Sequence, residues 1–124
     1  MLRILTIIFC FMCFQIPLSA TDITVKEYHK DLHGRDQYMV GTIKMYVMGI
    51  GQGISWANSV AEKKGAPLYC PAPKLAMNGS NYLGILDEMI DTVASKKTAK
   101  ELDELPVAML LLMGLEETFP CPAK

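Results

Sequence analysis

With 124 residues, 51% of them hydrophobic, the chain is long enough for one hydrophobic core and too short for two. Twelve basic side chains stand against 13 acidic ones, a net charge of −1, and this even balance excludes the basic footprint of a nucleic-acid binder.

The N-terminal stretch has the three parts of an export signal: basic Arg3, an apolar run from Ile4 to Ile16, and Pro17 ahead of the small Ser19 and Ala20. Cleavage between Ala20 and Thr21 is expected, with residues 1–20 the signal peptide and 21–124 one mature domain. The apolar run is shorter than the roughly 20 residues of a membrane span, so no membrane attachment is expected after the leader is removed. Cys10 and Cys13 leave with it. Cys70 and Cys121 remain, and an even pair in an exported chain reads as a disulfide. Closing a loop of about fifty residues removes about 4 kcal/mol of unfolded-chain entropy.

Asp22 is expected to cap a short helix, ITVKEYHKDL, with Ile23, Tyr28 and Leu32 on one face and His33-Gly34 at its end. From Gln37 to Lys64, Met39, Ile43, Tyr46, Val47, Ile50, Ile54, Ala57 and Ala61 recur at helical spacing, and Gly65 and Pro67 stop the run. The spacing of Gly49, Gly51 and Gly53 is not a dinucleotide fingerprint. Instead Gly49, Gly53 and Ala57, four apart, predict a smooth stripe on which another helix packs closely, offsetting a propensity cost of about 1 kcal/mol per glycine.

Pro67 to Pro73 is a proline-punctuated connection carrying Cys70, and Asn78-Gly79 marks a turn. Ser80 is expected to cap the helix NYLGILDEMIDTVAS, with Leu83, Leu86, Ile90 and Val93 inward and Asp87, Glu88 and Asp91 in water. KKTAKELDEL, charged and mixed in sign, reads as a solvated loop or frayed helix. Pro106 suits the first position of the last helix, VAMLLLMGLEETF, which Pro120 closes and whose nearly all-round apolarity places it centrally. The sum is all-α: a small four-helix domain with one disulfide.

Little in this pattern suggests chemistry. His29 and His33, at i and i+4 with Asp36 nearby, form a metal edge but not a closed site, so neither metal nor cofactor is expected. No G-x-S-x-G elbow or S-x-x-K pair occurs, and Asp87-Glu88 and Glu116-Glu117 are adjacent on helices and point apart. No catalytic residue is expected, and the chain is not read as an enzyme. Trp56 and Tyr69 suit either interface anchors or core, and the methionines either core filling or an adaptable binding surface.

The ordered set YVMGIGQGISWAN (Tyr46 to Asn58), PLYCP (Pro67 to Pro71), NYLGILDEMID and the closing ETFPCP resembles the Rap/Tai-type immunity proteins of bacterial type VI secretion. The likeness runs from about Tyr38 to Cys121. It implies a helical periplasmic protein without catalytic activity, of a kind that often self-associates, for instance as a homodimer, and that binds and blocks a secreted peptidoglycan-cleaving amidase. HGRDQYMVGTIKMY lacks the further cysteine pair that many members carry. A second reading is an acid-stress periplasmic chaperone, since the Hde-type chaperones are also small, exported, helical and single-disulfide. The residues that contact a partner are not identified by either resemblance.

Overall fold

The computed structural model describes residues 22–122. The predicted leader and its cleavage point between Ala20 and Thr21 lie outside the described residues. Five helices follow in order: α1 (Val25–Leu32), α2 (Gln37–Lys63), α3 (Gly79–Ala94), α4 (Ala99–Asp103) and α5 (Val107–Thr118). Among the described residues there is no strand, and the one β-type contact is an isolated antiparallel bridge between Thr24 and Pro106. No described helix is long and apolar enough to cross a membrane. The all-α class holds, with five helices in place of the four expected.

The additional helix is α4, formed inside the charged KKTAKELDEL stretch. Thr98 accepts from the Glu101 N–H while the Glu101 carboxylate accepts from the Thr98 N–H and hydroxyl, a capping box that satisfies the otherwise orphaned donors of a first turn. Thr24 and Glu27 build the same box at α1. Thr24, not Asp22, is therefore the cap, because only Thr24 has a carboxylate three residues on. The backbone N–H and then the hydroxyl of each threonine hold the Glu27 and Glu101 carboxyls below their usual range. Asn78 with Asn81 forms a third box, so α3 starts at Gly79 and Ser80 lies inside it. Pro106 stands one residue before α5 as its cap position.

The core gathers on α5, where Val107, Leu110, Leu111 and Leu115 are all fully buried. Each such side chain contributes roughly 1.5–3 kcal/mol relative to an exposed one. α3 covers this helix closely: a Cβ on Gly114 would lie 2.8 Å from Ile85 Cγ2 and 3.0 Å from the Ile85 carbonyl oxygen, so only glycine permits the approach. Tyr28 fixes α1 to α3, its hydroxyl donating to Asp87 Oδ1 at 2.7 Å. Burial and then that carboxylate raise the Tyr28 pKa well above the usual tyrosine value. Tyr46 on α2 donates to the Asp22 carboxylate and accepts from the Ile23 N–H at 3.3 Å, which gives Asp22 its actual role.

The glycine stripe requires correction. Gly49 and Gly53 are exposed, and a Cβ at either would meet no atom within 4 Å. The glycine that permits close packing is Gly51, where a Cβ would lie 2.4–2.6 Å from three ring carbons of Tyr82. At about 100° per residue Gly51 falls beside Val47 on the buried face, whereas Gly49 and Gly53 fall on the opposite one.

Candidate functional site

The two faces of α2 have opposite fates. Ile43, Val47, Gly51 and Asn58 are buried. Tyr38, Met45, Trp56 and Val60 are exposed, at 79%, 63%, 77% and 52%. Tyr38 and Trp56 are five helical turns apart at about 3.6 residues per turn, and Met45 and Val60 lie within about 40° of the same line. Gly49 and Gly53 sit between them and leave a shallow saddle in the row. Single exposed apolar side chains are ordinary on protein surfaces; four large ones along one helix are not. From Tyr38 to Val60 the row runs about 33 Å at about 1.5 Å per residue, with the exposed polar Thr42 and Gln52 on the same strip, so it is a line of separate apolar anchors with polar groups between them.

Of the two aromatic residues that sequence left between anchor and core, Trp56 belongs to this surface while Tyr69 is only 4% exposed. Met45 also belongs to the surface, whereas Met89 fills the core.

Beside Trp56 lies a groove of about 370 Å³ lined by Gln52, Ser55, Trp56, Ser59 and Tyr82. It adjoins a second of about 260 Å³ that shares Ser55, Ser59 and Tyr82 and reaches Glu62 and Tyr69. Three hydroxyls join at their common wall: Ser55 Oγ is 3.0 Å from Tyr69 Oη and 2.8 Å from Tyr82 Oη. Burial raises the Tyr69 pKa, although its bond to Ser55 acts the other way. Tyr82 reaches this position because Gly51 lets its ring lie against the α2 backbone.

The wall is held from behind by Asn58, a buried polar residue at core spacing. Its amide donates to the Tyr69 carbonyl at 2.9 Å and its oxygen accepts from the Leu68 and Tyr69 N–H groups at 2.7 and 3.2 Å. All of these bonds go to the segment leaving α2, which the Gly65 turn, at φ 75°, directs back along the helix. The next residue, Cys70, donates its N–H to the Phe119 carbonyl at 2.8 Å. The Cys70 and Cys121 sulfurs lie at bonding distance, 2.07 Å, with their Cα atoms 4.8 Å apart. The exit of α2 is thereby fastened to the end of α5.

The other polar residues gather less. His29 and His33 share a face, with ring centroids 6.0 Å apart. Among the described residues no three His, Cys, Asp or Glu side chains are grouped to hold a metal ion. Asp87 serves Tyr28. Glu88 and Asp91 of α3 and Glu117 of α5 line one cleft of about 360 Å³. Comparison with protein-family models, with characterised proteins and with solved structures finds no match for the chain.

Proposed function

We propose that the chain is a binding protein of the Rap/Tai immunity type, exported to the periplasm, that inhibits a secreted peptidoglycan amidase by covering its active-site groove. It acts by binding and not by catalysis. The observation that carries this reading is the exposed row Tyr38, Met45, Trp56 and Val60 on one face of α2. Interface energy concentrates in a few central aromatic and large apolar anchors, and Trp56 with Met45 offers such a centre. The order of sequence motifs from Tyr46 to Cys121 is the second support.

The test uses the mature chain with any amidase found encoded beside its gene, or otherwise with related secreted amidases, reading peptidoglycan cleavage and complex formation. Stoichiometric inhibition is expected, weakened about tenfold or more in Trp56→Ala and in Met45→Ala while the circular dichroism of both stays unchanged. No complex with that or any related hydrolase at micromolar concentration overturns the proposal. Inhibition that survives both substitutions moves the contact surface away from α2.

A further inference from the structure

The groove beside Trp56 differs in chemistry from the apolar row it borders, and we infer that it is a binding site for an uncharged saccharide ring stacked on the Trp56 indole. The inference does not depend on the inhibitory role. None of the five residues lining the groove carries a charge. A phosphate or carboxylate ligand would find no lysine or arginine there, and a cation would find no carboxylate until Glu62 in the adjoining groove.

A hydrocarbon chain is disfavoured by the hydroxyls. Ser55, Tyr69 and Tyr82 have three O–H donors among them and make two mutual bonds, so one O–H is left over; on Ser55 or Tyr82 it belongs to this groove, and on Tyr69 to the adjoining one. Lining that wall with an acyl chain would leave the donor without a partner, at the cost of its desolvation. Ser59 spends its proton on the Ser55 carbonyl at 3.0 Å and keeps its lone pairs for a donor. The side chain of Gln52 supplies one donor group and one acceptor.

What remains is a neutral ligand with an apolar face and with groups that both donate and accept. A pyranose has both: axial C–H bonds on one face, and hydroxyls around the rim. Trp56 offers a flat, largely exposed surface for the first, and the hydroxyls and amide suit the second. A peptide fits less well, because its main chain seeks backbone partners and the groove is built from side chains on α2 and α3 whose backbones are bonded within their helices. The groove is shallow and open, so it would hold a ring by one face and not enclose it.

Trp56 is the one tryptophan of the chain, so its fluorescence reports the groove directly. The probes are triacetylchitotriose, which has acetamido groups as cell-wall glycans do, and maltotriose, which does not. A saturable change in emission with a dissociation constant near 1 mM is expected for at least one of them, and their ratio identifies the source of the ligand. Gln52→Ala and Ser59→Ala, both on exposed positions, should each weaken binding about fivefold, the effect of one lost hydrogen bond. No change with either sugar at about 20 mM, well above the dissociation constant expected, overturns the inference. So does a response to a tripeptide or a nucleoside in place of both sugars. Amidase inhibition is read separately, so either proposal can fail while the other stands.

Discussion

Three glycines within one helix should respond to the same substitution with opposite signs. Gly51→Ala puts a methyl group 2.4–2.6 Å from three carbons of the Tyr82 ring. The ring has little room to yield, since Tyr82 is 2% exposed and its hydroxyl is bonded to Ser55 at 2.8 Å. Overpacking of this kind costs about 1–3 kcal/mol, and a rigid aromatic neighbour places it at the upper end. Against it stands the helix-propensity gain of about 1 kcal/mol for alanine over glycine. The net is a loss of about 2 kcal/mol, or a fall of about 8–16 °C in Tm for a domain of this size. Gly49→Ala and Gly53→Ala meet no atom within 4 Å, so each keeps the propensity gain and should raise stability by up to about 1 kcal/mol. Urea denaturation followed by circular dichroism at 222 nm measures all three. An unchanged or stabilised Gly51→Ala, or a destabilised Gly49→Ala, would refute the assignment of the two faces.

Three further perturbations test what holds the groove wall and the helix contacts. Replacing Cys70 and Cys121 together by serine opens a loop spanning 51 positions and should cost about 4 kcal/mol, seen as a drop of at least about 15 °C in Tm. Asn58→Ala leaves the Leu68 and Tyr69 N–H groups and the Tyr69 carbonyl without their partner, so a loss of about 2–3 kcal/mol is expected in the same denaturation assay. Alkaline pH should act through the tyrosines whose pKa values are raised, Tyr28 most strongly, with Tyr46 and Tyr69 adding in the same direction. The Tyr28 pKa is raised in the folded state, so above about pH 10 the unfolded chain binds fewer protons and stability falls by about 1.4 kcal/mol per pH unit from this residue. The contribution is complete below pH 10 and is lost as the pH climbs toward the folded value. Tyr28→Phe should flatten that slope in urea titrations between about pH 9 and 11.5.

The helical runs were legible where apolar periodicity was long: the run from Gln37 predicted α2 to within one residue of its end at Lys63. Helix starts were less legible, because Asp22 and Ser80 are both acceptable caps in isolation. The choice went to Thr24 and Asn78, which have a reciprocating side chain three residues later. The buried glycine is only weakly marked in the sequence. Ile43, Val47, Ile50 and Ile54 span an arc of about 60°, with Gly51 about 40° beyond one edge and Gly53 about 60° beyond the other, so periodicity hardly separates the two. Asn58 is better marked, about 20° beyond the edge at Val47 and four positions after Ile54, where a core side chain falls due. The hydroxyl cluster was not readable. Ser55, Tyr69 and Tyr82 meet only after the chain has turned at Gly65 and returned as α3, and no local spacing encodes that encounter.

The exposed glycines of α2 have no explanation inside the fold. Gly49 and Gly53 have ordinary helical backbone and no close neighbour, yet together they cost about 2 kcal/mol relative to alanine. What they do provide is a saddle between Met45 and Trp56 in which another surface can come within backbone distance of the helix. A methyl group on the saddle floor would hold such a surface away and reduce the dispersion gained across it. The Gly49→Ala/Gly53→Ala variant should therefore gain stability as an isolated protein and, on the proposed function, lose inhibition of the proposed amidase partner by about tenfold. Most substitutions that weaken a complex either leave the monomer alone or damage it, so opposite signs from one variant point to the saddle as a contact. If the more stable variant inhibits as well as the original chain, the saddle makes no contact, and the partner surface must be drawn around Trp56 alone.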